Sequence, residues 1–517
     1  MNKYNLLCIL YCSFGAFFYG YDSGLTTSII GYPEFITYFN FNATTLGALG
    51  SAYYAGNFAG SLVNLWLPDK VGRLKTVQIA AVISIVGAGM QTGAHSLGVL
   101  LAGRAIGGIA CGIIVSLCPL YASEISPPHV RGRVGGLYNI NINASYCLTE
   151  WMGLGFSYIG GSAGGLKWRL FIGLQLLCAA IMLAGSIWMP ESPRWLVVQK
   201  RHDEALAVLS KLHGTQVHEN EDTEGMPFYR REYEQIEAQI RLEQETPRFG
   251  LISILKRPSY RKRLFIILFF FCFQQLTAII PLQNYQVILY GALGIEGKMP
   301  LVLVGIWGTL GVIFACGGAY FFDKLGRRKS FFISMTGVTV GSVMLVGFWS
   351  KLEATGNTGK IWGRLALWSM FVYLVGYAWI LNSFGYAYAP EILPMEIRST
   401  GLGLGFAMLN GQSTHHASSL VRADKNPSDH HHACPDHAGW VEAITWRYFL
   451  IFVFMDVIFV VVFYFFFPET ANVPLEEVAA LFGDKVAFTL HDAVKMGEHG
   501  TGKGAEVKPP DHVEQIA

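Results

Sequence analysis

Charged residues are scarce in this chain. Asp, Glu, Lys and Arg together make up 14% of its 517 residues, whereas hydrophobic residues make up 52%. Ordinary soluble domains carry about 25% charged residues, so the shortage of charge argues against a string of soluble domains. The net charge of +2 also provides no basic surface for a nucleic acid.

A disulfide framework is also missing. Buried free thiols behave as small hydrophobic side chains, and eight of the nine cysteines fall within apolar segments: Cys8, Cys12, Cys111, Cys118, Cys147, Cys178, Cys272 and Cys316. The ninth, Cys434, lies in a polar stretch rich in histidine.

Long apolar runs are what the chain has in abundance. A helix needs about 20 residues to cross the hydrocarbon core of a bilayer. We predict eleven clear spans, at 6–29, 45–66, 77–97, 99–119, 134–159, 168–188, 264–290, 301–322, 330–350, 363–388 and 446–467. The first run is too long for the apolar part of a signal peptide and contains Tyr21 and Asp22. The sequence therefore predicts an all-α, polytopic membrane protein.

The distribution of Lys and Arg predicts its orientation. DKVGRLK (69–75), the 122–133 connection, the loop at 191–262 and DKLGRRK (323–329) all fall on one side if the spans alternate. Basic loops favour the cytoplasm, so we expect both termini there. Asn42-Ala43-Thr44 would then lie outside as a glycosylation sequon, used or unused.

Three motifs occur twice, in the same order. DKVGRLK returns as DKLGRRK, YASEISPPHVR (121–131) returns as YAPEILPMEIR (388–398), and Pro190-Glu191 returns as Pro468-Glu469. Parallel halves of about six helices predict a substrate site between them at the membrane midplane. The boundaries that follow are a first bundle at 1–190, a helical cytoplasmic loop at 191–262, a second bundle at 263–467 and a cytoplasmic tail at 468–517.

These motifs resemble the sugar porter branch of the major facilitator superfamily, and the fungal members most. The motifs that carry the resemblance are GYDSG (20–24), DKVGRLK, GRAIGG (103–108), PLYASEISPPHVRGR (119–133), PESPRWL (190–196), QQLT (274–277), DKLGRRK, PEILPMEIR (390–398) and PETANVPLEE (468–477). The resemblance implies twelve helices in two six-helix bundles, alternating access to one central site and transport of a sugar or polyol through the lipid bilayer. It implies no prosthetic group and no resident metal.

Charges at the cytoplasmic helix ends form one predicted set. It comprises Arg73, Glu124, Arg131, Glu191 and Arg194 in the first half, and Arg327, Arg328, Glu391, Arg398 and Glu469 in the second. Opposite charges there can join helices when the cytoplasmic side is closed and separate when it opens, because a two-state element needs only a few kcal/mol of bias. The alternative is that they only anchor helix ends at the interface.

Asp22 and Arg104 are predicted to lie inside the first and fourth spans. Intramembrane charges are costly and either pair with each other or line a functional cavity. A carboxylate that alternates between Arg104 and a proton would couple transport to the proton gradient, and the resemblance implies this role for both residues. The alternative is a static pair that holds two helices together.

The resemblance implies a sugar site with Gln274 and Gln275 on the seventh helix and Tyr386 on the tenth. Several positions depart from the family pattern. Asn139 stands where hexose carriers have Gln, and Tyr386 stands where Trp is common. The Gly and the Asn expected after QQLT are Ala278 and Ile280, and the Asn expected on the eighth helix is Gly311.

A polar stripe on the fifth span offers compensation. Asn139, Asn143 and Glu150 lie at i, i+4 and i+11, which return to nearly one face of a helix. These side chains either line the cavity, with Glu150 a second protonatable group, or hydrogen-bond between helices. Gln283, Asn284 and Gln286 present the same choice.

Residues 413–439 stand where the eleventh helix should lie, and they hold six of the fourteen histidines. The eleventh helix is therefore expected to be atypical or degraded. Three explanations remain open: an unspliced intron or frameshift in the gene, a real polar insertion, or a metal site that uses His430, His432, Cys434 and His437. Imidazole and thiolate suit zinc or copper, although this spacing matches no standard zinc pattern.

The sequence, taken together with the family resemblance, predicts a proton symporter for a sugar or polyol in the plasma membrane. A facilitative uniporter and a non-transporting sugar sensor are the alternatives. An enzyme is not expected, because no nucleophile and base or phosphate loop stands outside the transport motifs. Pentoses, hexoses, disaccharides, inositol and quinate-like acids all remain open as substrates.

Overall fold

A computed structural model describes the chain in segments. The described residues are 3–126, 131–159, 165–213, 228–245, 257–295, 297–355, 360–422, 446–470 and 482. Within these segments every regular element is a helix. We number the twelve helices of the bundle α1 to α12 in chain order.

The first half holds six of these helices. They are α1 (Lys3–Ile29), α2 (Ala43–Val63), α3 (Arg73–Thr92), α4 (Leu97–Ile125), α5 (Arg131–Phe156) and α6 (Leu166–Gly185). Short helices at Pro33–Tyr38 and Leu67–Val71 lie in the connections on either side of α2. Three helices follow the first half at Pro193–Val198, His202–His213 and Phe228–Glu245, where the sequence predicts a helical loop.

The second half repeats the plan with two broken helices. The pieces of α7 are Pro258–Gln275, Ile279–Asn284 and Gln286–Ala292, and those of α10 are Lys360–Gly376, a π turn at Tyr377–Leu381, and Asn382–Ile392. The others are α8 (Met299–Leu325), α9 (Arg327–Ala354), α11 (Met395–Arg422) and α12 (Trp446–Phe466). Ala278 in the α7 break has a φ of 72°, which is unusual for a residue with a Cβ. Such breaks often mark functional sites.

In the described part of the chain, eight helices are long and apolar enough to cross a membrane, judged by length and composition alone. These are α3, α4, α6, α7, α8, α9, α10 and α12. The remaining helices α1, α2, α5 and α11 pack against other helices of the bundle, and two interfaces between the halves are α2 with α11 and α5 with α8.

The eleventh helix extends further than the sequence predicts. Helix α11 continues through Ser413 to Arg422, so the polar segment expected at 413–439 is helical in its first ten residues. The hydroxyl groups of Ser413 and Thr414 donate to the carbonyl oxygens of Leu409 and Asn410, at 2.9 and 3.0 Å. These bonds satisfy polar side chains within the helix, which explains why their composition does not end it. The suggested metal ligands from His430 to His437 lie outside the described residues.

Candidate functional site

The charged end of the first half is a bidentate ion pair between α3 and α4. Arg73 donates to Glu124 from Nε at 3.0 Å and from Nη2 at 3.1 Å. Ser192 donates a further hydrogen bond to Glu124 at 2.5 Å. Glu191 accepts hydrogen bonds from the backbone N–H groups of Arg73 and Leu74 at 2.9 and 3.2 Å. These groups lie at the start of α3, where the positive end of the helix dipole also stabilises a carboxylate.

The second half contains the same arrangement. Arg327 donates to Glu391 at 2.7 and 3.2 Å, and Thr470 donates to Glu391 at 2.6 Å. Glu469 accepts from the backbone N–H groups of Arg327 and Arg328, both at 2.8 Å. The repeated motifs of the sequence thus fold into repeated networks, each within its own half.

Glycines with the same backbone conformation precede both arginines. Gly72 has a φ of 104° and Gly326 has a φ of 82°. A Cβ at Gly72 would lie 2.5 Å from Oε2 of Glu191, so this position needs glycine both for its conformation and for the approach of the carboxylate.

The other predicted charges contribute differently. Arg328 donates to the carbonyl oxygen of Tyr464 at 2.8 Å. Arg194 lies half-buried in the short helix Pro193–Val198. Arg131 begins α5, and Arg398 lies in the first turn of α11. The side chains of both residues fall outside the described part of the structure.

Asp22 and Arg104 form a buried ion pair, as the sequence predicts. Nη1 of Arg104 lies 3.2 Å from Oδ1 of Asp22, and both side chains are buried. Arg104 also donates to Thr26 and stacks on the ring of Tyr53 at 4.4 Å. The thiol of Cys111 donates to the other carboxyl oxygen of Asp22 at 3.0 Å. Arginine and thiol together therefore occupy both oxygens of this carboxylate.

A cavity lies between the two halves. It is lined by Tyr19, Tyr54, Ile142, Asn143, Tyr146, Glu150, Gln274, Gln275, Ile279, Ile280, Gln283, Trp307, Gly308, Gly311, Leu374, Tyr377, Ala378, Asn382, Tyr386, Leu409 and Ser413. Aromatic walls with a few amide, hydroxyl and carboxyl groups are typical of sites for small polar molecules. Both broken helices, α7 and α10, contribute to the lining.

Both glutamines of the QQLT motif line the cavity. Gln274 donates to the carbonyl oxygen of Leu381 in the π turn of α10, at 3.1 Å. The carbonyl oxygens of the Gln274 and Gln275 side chains are buried and have no hydrogen-bond partner in the described structure. Unsatisfied buried acceptors at a cavity wall are suited to receive hydroxyl groups of a ligand.

The polar stripe of α5 divides between the two roles left open by the sequence. Asn143 and Glu150 line the cavity, whereas Asn139 lies nearer the charged end and donates to Ser383 on α10 at 2.6 Å. Tyr386 lines the cavity, with its ring 6.3 Å from that of Tyr138 on α5. Asn139 therefore joins the halves, and Asn143 and Glu150 are the candidates for ligand contact.

Asn143 and Glu150 face glycines of the other half. A Cβ at Gly311 would lie 3.7 Å from Oδ1 of Asn143, and one at Gly308 would lie 2.1 Å from Oε2 of Glu150. The family resemblance leads us to expect Asn at position 311, but Gly311 has no side chain. The side-chain amide of Asn143 reaches across from α5 to this position instead. Gly308 and Gly311 together form what we call the glycine recess.

Polar contacts also join the halves on the far side of the cavity from the charged end. The hydroxyl of Thr27 on α1 donates to the carbonyl oxygen of Gln283 on α7 at 3.1 Å. Asn284 donates to the hydroxyl of Tyr54 on α2 at 3.0 Å. Of the three polar residues left open on this helix, Asn284 bridges the halves, Gln283 lines the cavity and Gln286 is buried beside Tyr290.

Sequence reasoning missed several polar residues near these features. Asn382 and Ser383 bond to the α5 stripe, and only their position in the broken part of α10 could have indicated them. Asp456 is a fully buried carboxyl group within the apolar α12 and does not line the cavity. A single acidic residue in an apolar run is visible in the sequence, but the prediction of spans did not consider Asp456.

The glycine recess leads to a direct prediction. Replacing Gly308 with alanine is expected to destabilise the protein by about 1–3 kcal/mol and to impair uptake, because the new methyl group would overlap Glu150 and approach Cα of Cys147 at 2.8 Å. Thermal unfolding of the purified protein and uptake in cells would measure both effects.

Gly317 on the same helix is the matched control, since a Cβ there meets no atom within 4 Å. Its replacement with alanine is expected to preserve stability and uptake. Equal behaviour of the two variants would contradict the close approach of Glu150 to α8.

Comparison with known proteins gives a consistent result. Residues 7–482 match the family model described as sugar (and other) transporter. The MFS-type transporter criB of Aspergillus cristatus is 27% identical over 93% of both chains. The high-affinity glucose transporter of Kluyveromyces lactis and the quinate permease of Neurospora africana are each 26% identical, over 94% and 95% of this chain and 86% and 90% of their own.

The fold matches solved structures of the same architecture. The proton:xylose symporter XylE, bound to 6-bromo-6-deoxy-D-glucose, superposes with a TM-score of 0.75 over 93% of this chain and 99% of its own, at 21% identity. An inward-open form of XylE from E. coli superposes with a TM-score of 0.68. The prediction of an all-α major facilitator fold is confirmed.

Proposed function

We propose, from the premise that this chain belongs to the sugar (and other) transporter family, that it carries a sugar or polyol across a membrane by alternating access. The observation that supports this most is the cavity between the halves, lined by Gln274, Gln275, Asn143, Glu150 and aromatic rings. The relatives are transporters rather than enzymes, as expected from the sequence.

The cavity lies between two sets of contacts that join the halves. Asn139 and Ser383 meet on the side of the charged end, and Tyr54 and Asn284 meet on the other. Each set would separate in turn as the halves rock about the site. Asn139 is thus assigned to closure, whereas Tyr386 remains assigned to the substrate.

We assign proton coupling to Asp22 and Arg104. In the pair as observed, the carboxylate is held by an arginine and a thiol. Protonation of Asp22 would neutralise the carboxylate and release Arg104, which changes the contacts between α1 and α4. Such a differential interaction is what a proton needs in order to shift a conformational equilibrium.

We assign the bias between conformations to the charged networks. Arg73 with Glu124 and Arg327 with Glu391 each tie two helix ends within one half, so breaking a pair would loosen the charged end of that half. Glu191 and Glu469 extend each tie to the following segment.

The termini are proposed to be cytoplasmic and the membrane to be the plasma membrane. Tags at either terminus should therefore be inaccessible to antibody in intact cells and accessible after permeabilisation.

The test is uptake of labelled sugars and polyols by cells that express the chain. A symporter is expected to accumulate its substrate above the external concentration and to lose that accumulation when a protonophore is added. Uptake that only equilibrates and ignores the protonophore would identify a uniporter, and the pair would then be structural. Binding of a sugar without any flux would favour the sensor.

A further inference from the structure

We propose that Glu150 makes the central cavity selective for neutral, hydroxyl-rich substrates and excludes carboxylates of the quinate type. This inference rests on the proposed transport function and specifies the class of molecule transported. Family membership leaves both classes open, since both glucose and quinate carriers occur among the relatives.

The first observation is that Glu150 lacks a side-chain partner. Its side chain is 1% exposed, and in the described structure the backbone N–H of Gly308 is the polar group that approaches its carboxyl group, while no side chain donates to either oxygen. An unsatisfied buried carboxyl group is costly, and native proteins rarely leave one without a compensating contact. Because Glu150 lines the cavity, a molecule inside the cavity can supply that contact.

The second observation is the surface opposite Glu150. Its carboxyl group lies against Gly308, which offers its backbone N–H but has no side chain that could donate a further hydrogen bond. Trp151, the next residue, does find a partner on α8, donating from Nε1 to Thr309 at 2.9 Å. The interface between α5 and α8 thus has its own polar contact, and Glu150 is not required for it.

The third observation is charge. Among the described side chains that line the cavity, none is Lys, Arg or His, and Glu150 is the single acid. Arg104 is engaged by Asp22, Thr26 and Tyr53. A substrate carboxylate would therefore enter a buried site beside another carboxyl group without a cation to pair with, which is unfavourable at membrane depth.

Hydroxyl groups meet none of these objections. An ionised Glu150 can accept hydrogen bonds from hydroxyls, and a protonated one can donate to them, so a polyol fits either form. Neighbouring hydroxyls can donate to the free carbonyl oxygens of Gln274 and Gln275. A carboxylate substrate would be tolerated only while Glu150 holds a proton.

The test compares neutral molecules with their acidic counterparts. The pairs are glucose and glucuronate, galactose and galacturonate, and methyl quinate and quinate. Binding to the purified full-length chain is measured by thermal stabilisation, and uptake is measured by competition in cells. The neutral member of a binding pair is expected to bind at least about tenfold more tightly than its acid.

Variants assign this selectivity to Glu150. Glu150→Gln removes the ionisable carboxyl group with little change of shape, and the gap between neutral molecule and acid is expected to shrink about tenfold. Asp456→Asn is the matched control, because it removes a buried carboxyl group of α12 that does not line the cavity. This control is expected to leave the gap unchanged.

The outcomes separate this inference from the proposed function. An acid that binds as tightly as its neutral counterpart overturns the inference while transport stands. An unchanged gap in Glu150→Gln overturns the role of Glu150. If no sugar, polyol or acid binds or is taken up, the proposed function fails and the inference fails with it.

Discussion

Replacing Asp22 with asparagine is expected to abolish accumulation of the substrate. The variant cannot take up or release a proton at this position, so uptake would stop at equal concentrations on both sides of the membrane. The change preserves the size of the side chain, and its carbonyl oxygen can still accept from Arg104, which lies 3.2 Å from the present carboxylate. Because the variant also leaves Arg104 buried without its anion, a loss of stability is expected as well, and thermal unfolding measures it separately from the loss of coupling.

The measurement is the ratio of internal to external labelled substrate at steady state, with and without a protonophore. The wild-type ratio should fall when the protonophore is added. The Asp22→Asn ratio should show no accumulation even without the protonophore and should not change when it is added. Counterflow, which needs no proton gradient, should persist in the variant. A variant that still accumulates substrate would contradict the coupling role and favour the static pair.

Two further variants define the chemistry around Asp22. Asp22→Glu keeps an acid and should retain part of the accumulation. Cys111→Ala removes a neutral hydrogen bond to the carboxylate and should have a smaller effect than any change of charge. A charge change such as Arg104→Ala should be more harmful, because it leaves the buried Asp22 without its cation.

The repeated motifs made the charged ends and the ion pair predictable. DKVGRLK and DKLGRRK place Arg73 and Arg327 at equivalent helix starts, so one network implied the other. Asp22 and Arg104 were predictable because few contexts tolerate charge inside an apolar span. Local composition and motif spacing were therefore sufficient to predict the charged ends and the ion pair.

The cavity was less predictable, because it depends on which helices face each other. Spacing placed Asn139, Asn143 and Glu150 on one face, yet only packing shows that Asn139 contacts α10 while the other two face glycines of α8. The length of α11 was missed for a related reason. Hydroxyl groups that look unfavourable in a span are satisfied by the carbonyl oxygens of the preceding turn.

Replacing Arg73 with alanine is expected to destabilise the protein more than the equivalent change at Arg327. Removing one partner of a buried ion pair typically costs about 3–5 kcal/mol, because the remaining charge is left buried. The side chain of Glu124 is 8% exposed, whereas that of Glu391 is 24% exposed and remains closer to solvent. The midpoint of thermal unfolding should therefore fall further for Arg73→Ala.

A double variant separates stability from gating in this network. Arg73→Ala with Glu124→Gln removes both charges, so unfolding should return towards the wild-type midpoint. If the pair biases the conformational equilibrium, uptake should remain impaired in the double variant, because the tie between α3 and α4 is still absent. Recovery of both stability and uptake would mean that the pair only anchors helix ends. Similar midpoints for the single variants at Arg73 and Arg327 would contradict the difference in burial between their partners.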